Sequence, residues 1–148
     1  MLENANAREV DWMSSRPVRV MLVDDNEADN YLARLIIEES GLADVVLTFE
    51  DAALAISHLS APDSHCVDLI LLDIRMPRMD GFQFLDAYER LPMDRRANAV
   101  VVMLTTSLNP IDIERARCFD CVSDYLEKPL TEEQFIELVR SHLPGPPD

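Results

Sequence analysis

Asp24, Asp25 and Asp73 are carboxylates that directly follow apolar runs, Thr105 closes another such run, and Lys128 stands between a fifth run and Pro129. Lys128 is the only lysine; the remaining twelve of the 13 cationic side chains are arginines. Three carboxylates gathered in one pocket repel: at about 4 Å and an effective dielectric near 20, each pair costs on the order of 4 kcal/mol. Such a cluster takes up protons or a cation. Hard oxygen ligands with open positions suit Mg²⁺. An ion held there is a template and charge sink for moving a phosphoryl group onto a carboxylate. Lys128 would meet a phosphoryl oxygen as a compact point charge, and the Thr105 hydroxyl would donate to another. The plainer reading of Asp24-Asp25, with Asn26-Glu27 behind it, is the acidic start of a helix. The presence of Asp73, Thr105 and Lys128 weighs against that reading.

The elements that must bring these residues together are legible from periodicity. Five apolar runs stand out, at Val18–Val23, Val45–Phe49, Val67–Leu72, Ala99–Leu104 and Val122–Leu126. The first four are nearly continuous and rich in branched residues, the pattern of strands buried on both faces in a parallel sheet. Between them the spacing turns helical. Ala28, Tyr31, Leu32, Leu35 and Ile36 recur on one face until Gly41, and Ala52–Leu59 predicts a second helix. Phe82, Leu85 and Tyr88 mark a third. Asn109-Pro110 is a start signal for a fourth, with a capping side chain before a proline that needs no amide donor. Thr131-Glu132-Glu133-Gln134 is a capping box for the fifth, with Phe135, Leu138 and Val139 as its apolar face and Gly145-Pro146 as its stop. Strand and helix thus alternate five times, which predicts a doubly wound α/β domain with a five-stranded parallel sheet, order 2-1-3-4-5. In such sheets ligands bind beyond the carboxyl ends of the strands, where all five polar residues fall.

Composition narrows the function classes. The 148 residues suit one domain with a full core, and 48% hydrophobic content argues against disorder. A net charge of −15 repels nucleic acid and anionic lipid. No apolar stretch approaches the roughly 20 residues needed to span a bilayer, and no secretory signal core is visible. Cys66, Cys118 and Cys121 are an odd set rather than a disulfide framework, so the expected location is the cytoplasm. Residues 1–17, with Val10, Trp12 and Met13, read as an N-terminal extension, and residues 144–148 as a short tail. Trp12 is a candidate anchor for an arm, against the reading of a loosely ordered tail.

On these residues the chain resembles the response-regulator receiver domains of bacterial two-component signalling. The resemblance rests on Val23-Asp24-Asp25, on the segment from Leu72-Asp73 through Ile74-Arg75-Met76-Pro77 to Asp80-Gly81, on Thr105, and on Lys128-Pro129. It covers about residues 18–143 and implies a flavodoxin-like receiver fold. It implies that Asp73 is the phosphoacceptor, supplied by a sensor histidine kinase or a histidine phosphotransfer protein, with Thr105 and Lys128 assisting. It implies Mg²⁺ at Asp25, Asp73 and the backbone carbonyl of Arg75, with Asp24 acting through water, and a cis bond before Pro129. Tyr125 falls where the family keeps an aromatic switch residue: Thr105 moves to the phosphoryl group, and Tyr125 turns into the space it leaves. The plain alternative for Tyr125 is an edge aromatic. The implied protein is not an enzyme but a single-domain switch that assists its own phosphorylation and dephosphorylation. It acts through a downstream protein target or passes the phosphoryl group on, and a homodimer through helix four, strand five and helix five, or through the N-terminal arm, is a family expectation. Thr106 and Arg75 depart from the commonest pattern and are expected to tune the rates.

Other readings fit less well. Cys118-x-x-Cys121 lies between helix four and strand five, whereas a redox pair normally opens a helix. His58, His65 and His142 show no metal-ligand spacing. A flavin phosphate loop after strand one would be neutral, and here it holds Asp24, Asp25 and Glu27. A haloacid-dehalogenase-type phosphatase needs an aspartate two residues after its nucleophile, where this chain has Arg75. The remaining alternative is a receiver-fold interaction module that works without phosphorylation.

Overall fold

The computed structural model describes residues 18–61, 67–96 and 99–143. The proposed N-terminal arm with Trp12, the tail with Gly145-Pro146, and His65 and Cys66 lie outside the described residues. Five strands, β1 (Arg19–Val23), β2 (Val45–Phe49), β3 (Leu69–Leu72), β4 (Val100–Thr105) and β5 (Val122–Glu127), form one parallel sheet in the order β2-β1-β3-β4-β5. The helices are α1 (Glu27–Ser40), α2 (Ala52–Ser60), α3 (Gly81–Glu89), α4 (Pro110–Arg117) and α5 (Glu132–His142), with one further helical turn at Met93–Arg96. This is the doubly wound architecture that the alternation predicts.

The continuous apolar runs of the inner strands have a simple cause. Successive side chains point to opposite faces, and both faces are covered. Met21, Val23, Ile70, Leu72, Val101 and Met103 pack beneath α2, α3 and α4, against Ala55, Phe84, Leu85 and Tyr88. Val20, Leu22, Leu69, Leu71, Val102 and Leu104 pack on the other face, against Ile37 of α1 and Phe135, Leu138 and Val139 of α5. Each fully buried aliphatic or aromatic side chain contributes about 1.5–3 kcal/mol of transfer free energy. β2 departs from the expectation of burial on both faces. It is an edge strand, partly buried along its length, with Thr48 exposed. β5 is the other edge, and Ser123, Asp124 and Glu127 face solvent there.

Local caps fix where the helices begin, and so where the loops of the site lie. Asn26 caps α1, accepting from the Asp29 amide at 3.0 Å, and Gly41 closes it with φ 73° in the left-handed region. Asp80 and Gln83 form a capping box at α3, Asn109 with Pro110 starts α4, and Thr131 with Gln134 forms the capping box at α5. α5 ends at His142, where Leu143 takes an extended conformation, ahead of the glycine-proline pair to which the sequence pointed.

Candidate functional site

Backbone hydrogen bonds carry the sheet pattern one residue past its strands and set the site residues side by side. The Asp24 amide donates to Phe49 O at 3.0 Å, Asp73 to Val23 O at 3.0 Å, and Lys128 to Thr105 O at 2.9 Å. Asp24, Asp73, Thr105 and Lys128 therefore meet at the carboxyl edge of the sheet, as the strand order requires. The bond between Lys128 and Pro129 is cis. Gly81 closes the site from the α3 side. Its amide donates to Ile74 O at 2.7 Å, and a Cβ there would stand 2.4 Å from the Asp73 carbonyl oxygen. Only glycine permits that approach.

Asp24 is 6% exposed and Asp73 8%, unusually low for carboxylates. Lys128 Nζ donates to Asp24 Oδ2, to Asp29 Oδ2 at 2.9 Å and to Asp73 Oδ2 at 3.1 Å. The second oxygens are also engaged: Asp24 Oδ1 accepts from the Asn26 amide at 2.9 Å, and Asp73 Oδ1 from the Ile74 amide at 2.8 Å. Burial alone would lower the Lys128 pKa, but hydrogen bonds to Asp24 and Asp29, with the charges of Asp73 and Asp24, outweigh it and hold the ammonium well above the ordinary lysine range. For Asp24 the balance runs the other way. Burial raises its pKa, helped by the Asp73 charge, against the Lys128 and Asn26 hydrogen bonds.

Carboxylate oxygens of Asp24, Asp25 and Asp73 all lie within 4.8 Å of one another. Asp25 is exposed and has no hydrogen-bond or ion-pair partner among the described residues. Four carboxylates thus face one ammonium, and one of the four is left unpaired. This donor set fits a hard divalent cation. Asp25 and Arg75 share the wall of a recess of about 470 Å³, with Pro77, Asp80 and Asp112. On the other side Asp24, Asp73, Thr106 and Lys128 border a groove of about 550 Å³ along α1, mostly apolar with Leu32, Ile36 and Leu130 but also lined by Asp29, Asn30 and Glu39.

Thr105 is fully buried, and its Oγ1 accepts from the Ser107 amide at 3.3 Å. Tyr125 is half-buried, and its hydroxyl donates to the Ser107 carbonyl at 2.6 Å. Burial raises the Tyr125 pKa, and the Asp112 and Asp73 charges add to this against the Ser107 hydrogen bond and Arg75. The sequence reasoning missed Asp29, Ser107 and Asp112. Asp29 was signalled only by its place in the first turn of α1, three residues past the cap. Ser107 and Asp112 were hidden because a loop serine and a first-turn acid are ordinary capping residues.

The other candidate residues stand apart from the site. Cys118 ends α4, exposed, its Sγ 3.5 Å from Glu114 O, and Cys121 is half-buried against the core. His58 packs on Phe49 with ring centroids 5.5 Å apart, and His142 lies 3.8 Å from Asp124.

A doubly wound parallel sheet with an acidic cluster and a lysine at its carboxyl edge defines the receiver class of protein. The chain belongs to the response regulator receiver domain family, whose sequence profile matches residues 20–140. It is 33% identical over 86% of its length to the polar-differentiation response regulator DivK of Brucella anthropi, and covers 97% of that protein. It is 31% identical over 86% of its length to the sensor protein GacS of Pseudomonas syringae pv. syringae, but spans only 14% of that larger protein. The crystal structure of a response regulator receiver protein from Dyadobacter fermentans superposes with a TM-score of 0.76 at 32% identity, covering 83% of this chain and 95% of that one. No helix among the described residues is long and apolar enough to cross a membrane.

Proposed function

We propose that this chain is a single-domain response regulator that takes a phosphoryl group on Asp73. The donor is a phosphohistidine of a sensor histidine kinase or of a histidine phosphotransfer protein. The observation that carries the reading is the cluster of Asp24, Asp25 and Asp73 with Lys128 bound to two of the three. An Asp73 carboxylate oxygen forms the new bond to phosphorus as the phosphorus–nitrogen bond to the donor imidazole breaks, and the imidazole leaves with the electron pair. Asp24, Asp25, Asp73 and the Arg75 carbonyl would hold Mg²⁺, which when bound supplies charge neutralisation and alignment for the transfer. Lys128 is already within hydrogen-bond distance of Asp73 and needs only a small movement to meet a phosphoryl oxygen. Thr105, whose Oγ1 accepts from the Ser107 amide, would move to donate its hydroxyl proton to a second phosphoryl oxygen, and Tyr125 would report that movement on the face formed by α4, β5 and α5. The functional domain is residues 18–143, flanked by an N-terminal extension (1–17) and a tail (144–148), and it works in the cytoplasm on a protein target or as a relay. The similarity to DivK, 97% of which this chain covers, supports the response-regulator reading.

Intact-mass spectrometry after incubation with a small phosphodonor, with Mg²⁺ or with EDTA, tests this. One Mg²⁺-dependent phosphoryl adduct is expected in the wild type and none in Asp73→Asn, which should keep its fold by circular dichroism. Stoichiometric labelling of Asp73→Asn would overturn the assignment. No adduct in the wild type from either a small donor or a phosphorylated histidine phosphotransfer domain would favour an interaction module that works without phosphorylation.

A further inference from the structure

On the β4–α4 side of the site one carboxylate serves two elements. The Ser107 hydroxyl donates to Asp112 Oδ2 at 2.6 Å. Arg75, two residues beyond Asp73, donates from Nη2 to the same oxygen at 3.4 Å. Ser107 is itself the meeting point of the switch residues, since its amide donates to Thr105 Oγ1 and its carbonyl receives the Tyr125 hydroxyl. An acid in the first turn of a helix is ordinary. Asp112 differs in that its side chain is only 15% exposed and is bonded to two partners, one of them from a distant loop.

We infer that Asp112 is a positioning residue that ties the mouth of the phosphoacceptor pocket to Tyr125, by fixing Ser107 as the tyrosine's acceptor and by holding Arg75 through the same oxygen. The inference rests on Asp73 being the phosphoacceptor. The two bonds differ in kind. The Ser107 bond is short and sheltered, so it orders the loop in the resting protein. The Arg75 bond is long, and its guanidinium side chain is 73% exposed, so it exchanges readily. A phosphoryl group on Asp73 brings nearly two negative charges and three acceptor oxygens, a better partner for a guanidinium than one shared carboxylate oxygen. Phosphorylation then reaches Ser107 by two routes: through Thr105, and through the release of Asp112 from Arg75. Both routes end at the carbonyl that holds Tyr125.

Fluorine NMR of protein labelled with 3-fluorotyrosine tests this, because the chain has only 3 tyrosines and Tyr125→Phe assigns the signal. The shift between H₂O and D₂O reports how exposed the ring is. In the unphosphorylated protein, Asp112→Ala is expected to at least double that isotope shift at Tyr125. Asp112→Asn keeps an acceptor for Ser107 and should restore the wild-type value, which separates positioning from misfolding. Arg75→Ala releases Asp112 as phosphorylation would, so it should move the resting Tyr125 signal part of the way toward the phosphorylated value. With the phosphoryl adduct confirmed by mass, it should lose at least half of the phosphorylation-induced change. An unaltered Tyr125 signal in Asp112→Ala, or an Asp112→Asn signal displaced as far as that of Asp112→Ala, would overturn the role of Asp112. A full phosphorylation response in Arg75→Ala would overturn the part assigned to Arg75. Absence of any adduct in the wild type would count against the phosphoacceptor reading instead, while the resting spectra still decide whether Asp112 holds Tyr125.

Discussion

Lys128 sits among Asp24, Asp29 and Asp73 as their common counter-ion. Removing it leaves the carboxylates unscreened but does not remove the phosphoacceptor or the cluster that suits a cation. Lys128→Ala is therefore expected to accept a phosphoryl group at a measurable rate and yet fail to respond. The check is partner affinity, or Tyr125 fluorine NMR, before and after phosphorylation; a wild-type change in the variant would sink the idea. Tyr125 carries its own prediction. Its folded pKa lies above the unfolded value of 10.0, chiefly because burial disfavours the phenolate, so the native state keeps the proton longer. The stability this contributes is fully present below the unfolded pKa and is lost as pH rises through the folded pKa. Phenolate absorbance of wild type minus Tyr125→Phe should thus titrate later than free tyrosine, and earlier in Asp112→Ala, where one neighbouring negative charge is gone. A difference curve that coincides with free tyrosine would contradict the half-buried placement.

At the scale of elements, the start of α3 lies close against the segment just past β3. Gly81→Ala would set a methyl 2.4 Å from the Asp73 carbonyl oxygen and 2.8 Å from Ile74 Cα, both backbone atoms that cannot swing away. Overpacking of this kind costs about 1–3 kcal/mol, so urea denaturation should show a loss in that range. The shift falls on the acceptor itself, and the phosphorylation rate should drop with stability; an unchanged rate and midpoint would mean that α3 yields freely. Asn109-Pro110 and Thr131-Glu132-Glu133-Gln134 announced helix starts through local chemistry, and unbroken apolar runs announced the inner strands, because these signals depend on neighbours along the chain. The capping box of Asp80 and Gln83 at α3, by contrast, went unread. β2 was misjudged as doubly buried because Val45–Phe49 is as apolar as an inner strand, and only the sheet order makes it an edge. The five predicted site residues were legible for a related reason: each follows a recognisable strand, and strand order brings the ends together. Ser107 and Asp112 gain their meaning from Arg75, more than thirty residues upstream, a pairing that no local pattern encodes.

For the whole molecule the dominant quantity is charge. With a net charge of −15, folding gathers like charges that the unfolded chain keeps apart, and Asp24, Asp25 and Asp73 at the sheet edge belong to that load. Two separable salt effects follow. Raising NaCl shortens the Debye length to about 8 Å at 0.15 M and weakens the general repulsion, so Tm should rise gradually, and by a similar amount in Asp25→Asn. Mg²⁺ should add a second, saturable rise at constant ionic strength, because a ligand that binds only the folded state stabilises it by about 2.7 kcal/mol at a hundredfold excess over Kd. For a domain of this size that is roughly 10 °C. Asp25 is the unpaired member of the cluster, so Asp25→Asn should remove most of the Mg²⁺ increment and, in EDTA, leave a protein at least as stable as the wild type, since one repelling charge is gone. Differential scanning calorimetry of both proteins in NaCl, in Mg²⁺ and in EDTA separates the two effects. Equal Mg²⁺ increments in the two proteins would mean that the ion screens the acidic surface at large and is not held by the cluster at the end of β1 and β3.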